Sequence, residues 1–483
     1  MNVASIVKKN AETTGDKIAI IYQTKQYSYA QVWSMIIYVA EILSSHGIKK
    51  GDRVGLSMKD RPLHLISHFA VAVIGAVIVP IDHRWTVSEK ESASHTFKTK
   101  LILNEGGEIG NAKTIYLDEK NIPSKITLKS QIDLDCDQEL LISLSSGTTG
   151  KPKGAILSHR NLYERFVSQW KSIGFGAEDC FGLLTPLFFG AGRSFAMSML
   201  VVGGAIEISP PPHTPKEIIK ILNSGNINAT FLPPTLLRRL IPLAKFPQPI
   251  LNKIKYLLYS GEPLHSKEAL FCLEKICPNL IGYYASSEGG GISVINSSEL
   301  KKYSSTVGAP IYQTEIEIVD ENNQKKDVNN AGRIRYRGPG VATRFIDHDG
   351  KESSSNDTGG WFYPGDLAKE LPTGHIQLIG RSDDVIIRGG VNIYPNEIES
   401  IMTEDPGINE VAIIGHKDSE RGEVIIAFIE TNQNFELSKT KIFCKENLAP
   451  YKIPEQIIDI GVLPKKESGK IDKHLLREKL IKS

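Results

Sequence analysis

With 483 residues the chain is too long for a single core and long enough to bury two or more. Apolar residues at 41% and charged residues at 23% describe an ordinary globular protein, not a disordered one. A formal net charge of +2 raises no large basic field, so nucleic acid is not an implied partner. Five scattered cysteines, Cys136, Cys180, Cys272, Cys277 and Cys444, show neither CxxC nor zinc-ligand spacing and read as thiols in a reducing compartment.

Met1 to Asp16 is polar and mixed in charge, so no signal peptide is expected. Tyr29 to Ser45 has helical periodicity and stops at Gly47, and Asp52 to Met58 reads as a strand. Arg61 to Ile74 predicts a helix and Ala76 to Ile81 a strand. This apolar stretch is interrupted by Ser67, His68, Gly75 and Pro80 and is too short for a membrane helix. The cytoplasm is the expected location, with no membrane span.

Helix and strand alternate again over Pro215 to Asn223, Ala229 to Leu232, Leu236 to Leu243 and Lys255 to Tyr259. From Val307 onward, short strands such as Glu315 to Val319 and Gly332 to Arg337 predict a β-rich piece. After Gly380 a helix–strand–strand–helix unit follows, over Glu397 to Thr403, Glu410 to Gly415, Val424 to Glu430 and Ser438 to Asn447. The pattern is α/β with largely buried sheets. A boundary near Arg381 to Asp384 predicts an N-terminal domain of residues 1–382 and a C-terminal domain of residues 383–483.

Six strings carry the chemistry. Ser145-Ser146-Gly147-Thr148-Thr149-Gly150-Lys151-Pro152-Lys153-Gly154 follows the apolar strand Leu140 to Leu144, so its N–H groups and hydroxyls can converge on phosphate oxygens. It is not the mononucleotide P-loop, whose glycine spacing differs and whose lysine is followed by Ser or Thr. Taken alone it is a flexible loop. Ser260-Gly261-Glu262-Pro263-Leu264 follows a strand, and Tyr284-Ala285-Ser286-Ser287-Glu288 ends on a carboxylate. Trp361-Phe362-Tyr363-Pro364-Gly365-Asp366 reads as a Pro-Gly-Asp turn, and Gly380-Arg381-Ser382-Asp383-Asp384 as a salt-bridged turn running on to Gly389-Gly390. Near the end stands Leu463-Pro464-Lys465-Lys466-Glu467-Ser468-Gly469-Lys470-Ile471-Asp472-Lys473, by itself a solvated basic tail.

In order and spacing these strings resemble the signatures of the acyl-adenylate-forming superfamily, which includes acyl- and aryl-CoA ligases, peptide-synthetase adenylation domains and firefly luciferase. The resemblance covers about Asp16 to Arg477. It implies a large domain of two α/β sheet subdomains plus a β-barrel-like subdomain, followed by a small mobile α/β domain. It also implies the reaction: ATP activates a carboxylic acid to an acyl-adenylate with release of pyrophosphate, and a thiol, coenzyme A foremost, then displaces AMP. Two alternatives are a stand-alone adenylation protein loading a carrier-protein phosphopantetheine, and a non-catalytic nucleotide-binding relative.

Residue by residue, the resemblance assigns ATP or AMP binding to Ser145, Ser146, Gly147, Thr148, Thr149, Gly150 and Lys153. The adenine shelf is Gly261, Glu262 and Pro263. Tyr284 is implied to stack on adenine, with Ala285 and Ser286 beside it and Ser287 on the α-phosphate; Asp366 and Arg381 are implied to hold the ribose. Glu288 is the implied Mg²⁺ ligand, Lys470 the catalytic lysine, and Thr148 shares in catalysis. Asp383 is the implied hinge, while Gly389 and Gly390 are implied to flank the pantetheine of coenzyme A. A positioned ammonium suits charge that builds on carboxylate and phosphoryl oxygens in the transition state.

The sequence departs from the family pattern where Ala285 replaces Gly, Ser287 replaces Thr and Pro364 replaces Thr. Phe189 stands where many relatives have His, so Phe189, Gly190, Arg193 and Ala285 are expected to bound an acid pocket with an apolar wall. Arg193 has two readings, a pair for a second carboxylate on the acid or a bridge at the surface, the surface being the plainer expectation. Lys465, Lys466 and Lys479 are expected to be solvated.

Overall fold

The computed structural model describes residues 2–105, 109–110, 112–117, 135–146, 152–245, 247–262, 264–355, 359–388, 391–418, 422–466 and 469–482. Capping chemistry sets the helix starts. Ser28 accepts from the Gln31 N–H and Gln31 returns a bond, which opens the helix Tyr29–Ser45 at its predicted residue. Ser158 and Asn161 do the same for His159–Ile173, and Gly174, at φ 98°, ends it in the left-handed conformation that glycine adopts without a Cβ penalty.

Two large sheets build the N-terminal domain among the described residues. The first runs from Ala309–Pro310 through Gly290–Ile295, Leu280–Ser286, Tyr256–Tyr259, Ala229–Phe231, Cys180–Leu183, Ala205–Ile208 and Ile18–Tyr22 to Lys25–Ser28. Its centre is parallel and its edges antiparallel. The second is eight-stranded, with Glu139–Ser146, Val77–Pro80 and Arg53–Ser57 adjacent at its centre. One apolar cluster joins the two sheets through the helices between them. At its heart Phe195 stacks on Phe181 at 5.6 Å and meets Phe231 and Tyr283 at 6.1 and 5.8 Å. Truncating such a ring to Ala costs about 3–5 kcal/mol.

The β-rich piece takes the form of a four-stranded antiparallel sheet ordered Glu315–Val319, Gly332–Arg337, Asp366–Glu370, Ile376–Arg381. Two neighbouring strands, Arg344–Ile346 and Glu352–Ser354, leave it and extend the second large sheet beside Pro152–Ser158. The C-terminal unit has its own core of Ile398, Met402, Val411, Ile413, Ala427 and Ile429 among others. Its helix Pro395–Met402, long hairpin of Ile408–Asp418 with Gly422–Thr431, and helix Leu437–Asn447 follow the predicted order. Among the described residues no helix is long and apolar enough to cross a membrane.

Candidate active site

The strand Leu280–Ser286 turns sharply into Gly290–Ile295, with a bulge between Tyr284 and Ala285. There the Tyr284 hydroxyl donates to Asp366 Oδ2. Asp366 opens a strand that pairs with Arg381, residue opposite residue. Arg381 Nη1 lies 3.2 Å from Asp366 Oδ1 and donates to the Pro364 carbonyl at 2.9 Å. Gly365, at φ 82°, makes the predicted turn, and its carbonyl accepts from the Ser382 N–H at 2.9 Å. Burial first, then the neighbouring Asp366 carboxylate, pushes the Tyr284 phenol well above its usual pKa. The sequence-predicted ribose pair and adenine tyrosine therefore meet in one hydrogen-bonded group.

Beneath it lies Arg165, which sequence reasoning did not single out. It sits on the buried face of His159–Ile173 beside Phe166 and Gln169. Its guanidinium donates to the carbonyls of Gly340 at 2.8 Å, Ser287 at 3.3 Å and Glu288. Ala342 N–H also donates to the Glu288 carbonyl. The backbone of Glu288 is thus clamped, while among the described residues its half-buried carboxylate has no ion-pair partner. A fixed backbone carrying an uncommitted carboxylate fits a hard divalent cation whose remaining ligands are phosphate oxygens and water. Ser286 Oγ shares a hydrogen bond with the buried Tyr336 hydroxyl at 2.6 Å and accepts from the Gly289 N–H at 2.9 Å, so it braces the turn. The signal for Arg165 was present in the sequence as a cation placed within a helical apolar stripe.

The small domain reaches this site from the other side. Residues 464–466 and 469–472 pair as the arms of a hairpin: Lys465 bridges Ile471, and Lys466 N–H donates to the Lys470 carbonyl at 2.8 Å. Lys470 remains open to solvent as a residue. The protein crowding its ammonium lowers its pKa by desolvation, while Asp366 opposes and Arg381 adds to the fall. Lys470 is thereby placed near Asp366 and Arg381, the predicted ribose pair. Gly469, at φ 88°, packs so closely that a Cβ there would lie 2.9 Å from Glu262 Oε1 and 3.1 Å from Thr235 Cγ2. Lys465 is exposed, as its sequence suggested, but it is also tied down. It pairs with Glu410 at 2.9 Å, because the hairpin folds back onto the strand Ile408–Asp418.

Arg193 requires a correction. It is 3% exposed rather than at the surface, because the helix Gly190–Val202 turns this position onto the helix Pro62–Val73. Its Nη1 donates to the carbonyls of Phe188 at 2.7 Å and Leu187 at 3.4 Å, and no carboxylate of the described residues lies within ion-pair distance. Burial draws its pKa down to about 10, and nearby Arg165 adds to that fall. Nearby, His64 and His68 are buried; neither ring nitrogen of His64, nor Nε2 of His68, has a hydrogen-bond partner. Phe189 is half-buried, its ring 5.0 Å from Phe188, and Gly190 is open at the helix start. Ala285 packs against the main core from the strand end.

Some predicted residues lie outside the described set: Gly147, Thr148, Thr149, Gly150, Pro263, Gly389 and Gly390, and the side chains of Ser145 and Ser146. The strands flanking the phosphate loop are described, with Ser145 opposite the exposed Lys153. Gly261 adopts φ 99°, and Asp383 lies in the single turn Ser382–Asp384.

The family model described as "AMP-binding enzyme" matches residues 7–345, more than half of the chain, and "AMP-binding enzyme C-terminal domain" matches 397–470. The chain belongs to the AMP-binding enzyme family. Among its relatives, the 2-succinylbenzoate–CoA ligase of Listeria monocytogenes (strain F2365) is 26% identical over 479 residues, 98% of each chain. That of Bacillus subtilis is 25% identical over 97% of this chain and 96% of its own. The fold is that of o-succinylbenzoate CoA synthetase from Bacillus subtilis in complex with OSB-AMP, with TM-score 0.87 at 24% identity, covering 98% of this chain and 97% of that one. ATP-bound MatB from Rhodopseudomonas palustris superimposes with TM-score 0.88 at 23% identity over 99% of both chains. By name these relatives are acid–CoA ligases, and the solved neighbours include forms bound to ATP or to ATP and magnesium.

Proposed function

We propose that the acid is an aryl or otherwise apolar carboxylic acid bearing a second anionic group, activated in the cytoplasm, where ATP and coenzyme A are supplied. The observation that carries this reading is Arg193, buried on the helix that opens with Phe189 and Gly190 and without an ion-pair partner among the described residues. A buried guanidinium without a counter-charge is costly unless a ligand supplies one. The relatives named above act on 2-succinylbenzoate, which carries two carboxylates on an aromatic frame. Phe189 and Ala285 give the frame an apolar wall.

In this reading the acid carboxylate attacks the α-phosphorus in line and pyrophosphate leaves. Lys470 stabilises the charge that accumulates on the attacking and phosphoryl oxygens, with Thr148 and the loop Ser145 to Gly150 orienting the phosphates. Glu288 holds Mg²⁺, which supplies charge neutralisation on the phosphates. Asp366 and Arg381 fix the ribose, and Tyr284 lies along the adenine. The domain boundary falls at residues 382 and 383. Rotation about Asp383 then brings Gly389 and Gly390 to the pantetheine arm, and the thiol displaces AMP.

Pyrophosphate release across a panel of mono- and dicarboxylic acids, 2-succinylbenzoate included, with and without coenzyme A, tests the proposal. Diacids should be preferred, and Arg193→Gln should raise KM for the diacid while leaving KM for ATP unchanged. Preference for monocarboxylates, untouched by Arg193→Gln, would overturn the assignment of the second anion.

A further inference from the structure

Two ion pairs cross from the N-terminal domain to the small domain beside the catalytic hairpin. Arg238, on the helix Pro234–Leu240, reaches Glu410 of the small domain at 4.0 Å. It is held there by Glu268 at 2.8 Å and by Glu262 at 3.2 Å. Further out, Lys267 meets Glu404 at 3.0 Å. Glu410 also holds Lys465, on the strand of the hairpin opposite Ile471, the neighbour of Lys470. A continuous chain of charges thus runs Glu268, Arg238, Glu410, Lys465, and its last member sits on the arm paired with the one that carries Lys470.

The contact is built at close range. Gly469 lies directly over Glu262, whose Oε1 is buried and without a hydrogen-bond partner. The pair Arg238–Glu410 is largely shielded, with side chains 24% and 19% exposed. Lys267 and Glu404 are mostly solvated, so they add little.

We propose that Arg238 and Glu410 are positioning residues for the first half-reaction, an electrostatic latch that holds the small domain with Lys470 in the site and releases it for thioester formation. This rests on Lys470 acting in adenylation. Because Arg238 and Glu410 stand on opposite sides of the hinge, rotation at Asp383 separates them. The latch therefore favours one orientation and does nothing for the other, as a bias on a two-state element must.

The two half-reactions are measured separately, using the acid that gives the fastest pyrophosphate release in the panel. Acid-dependent exchange of labelled pyrophosphate into ATP reports the first half. Transfer from purified acyl-adenylate to coenzyme A reports the second. Glu410→Gln should slow exchange roughly three- to tenfold in kcat, with KM for ATP little changed and transfer to coenzyme A unslowed. Equal slowing of both halves, or no slowing of exchange, would overturn the latch.

The double exchange Glu410→Lys with Lys465→Glu keeps the pair inside the small domain but sets a lysine against Arg238. It should remain slow in exchange; recovery would show that only the hairpin's own anchoring matters and would sink the cross-domain claim. Lys470→Ala should abolish exchange whichever way these variants behave. Retained exchange there would refute the role of Lys470 itself, an outcome distinct from failure of the latch.

Discussion

The Tyr284 hydroxyl and the Asp366 carboxylate, 82 residues apart, are hydrogen-bonded to each other at the junction of the large sheet and the four-stranded sheet. The same carboxylate receives Arg381 on its other oxygen. Both oxygens of the Asp366 carboxylate, the proposed ribose clamp, are thus engaged by protein donors.

Asp366→Asn should therefore raise KM for ATP by about 10- to 100-fold, the loss of hydrogen bonds to a charged acceptor being worth about 1.5–3 kcal/mol. Tyr284→Phe should act in the opposite direction on this term. It frees an oxygen for the ribose hydroxyls while keeping the ring, and should lower KM for ATP a few-fold. Pyrophosphate exchange at varied ATP reads both.

Gly469 is restricted twice, by its φ of 88° and by the proximity of Glu262. Gly469→Ala introduces about 1–2 kcal/mol of backbone strain together with a contact on the carboxylate. Exchange should fall about tenfold or more, while circular dichroism and the thermal midpoint stay close to wild type, because Gly469 itself belongs to no apolar cluster.

Arg165 acts through carbonyls rather than through substrate. Arg165→Gln leaves the carbonyls of Ser287, Glu288 and Gly340 with fewer donors, so the turn bearing Glu288 should loosen. The measurable sign is a several-fold rise in the Mg²⁺ concentration needed for half-maximal exchange. A fall in stability with unchanged Mg²⁺ dependence would confine Arg165 to a packing role.

His68 lies fully buried, with Nδ1 2.8 Å from the His64 carbonyl, and burial lowers its pKa to about 3, with Arg193 adding to the fall. The folded protein thus refuses a proton that the unfolded chain accepts below its ordinary pKa of 6.5. Stability is therefore fully present above pH 6.5 and is lost as pH falls from there toward 3, about 2 kcal/mol from this one group at pH 5. His64 contributes with the same sign. Asp60 opposes them: burial raises its pKa to about 6, so its folded form gains relative stability as pH falls through 6. His68→Asn should flatten the loss of stability between pH 7 and 5, and Asp60→Asn should steepen it, as read by thermal midpoints across that range.

The alternation of helices and strands was legible because caps and glycine stops are local. Tyr29–Ser45 begins and ends where Ser28, Gln31 and Gly47 place it. The turn at Gly365 and the convergence of Asp366 with Arg381 were legible for the same reason, since one hairpin brings them together. Strand partnership was not. Nothing in Arg344–Ile346 says that it leaves the small antiparallel sheet for Pro152–Ser158, because a strand edge is chosen by what else is left unpaired.

The order and spacing of the strings from Ser145 to Lys473 were enough to identify the family resemblance, and with it the expected roles of a phosphate loop, a carboxylate for a cation, a sugar clamp and a late lysine. Only the tertiary structure decided where charges find their counter-charges. It buried Arg193 away from every described carboxylate, clamped the Glu288 backbone with Arg165, and joined Lys465 to Glu410 and Glu410 to Arg238. The physical reason is range. A cap or turn is settled within a few residues, whereas Coulomb interaction and desolvation depend on distances and burial that the folded chain alone fixes.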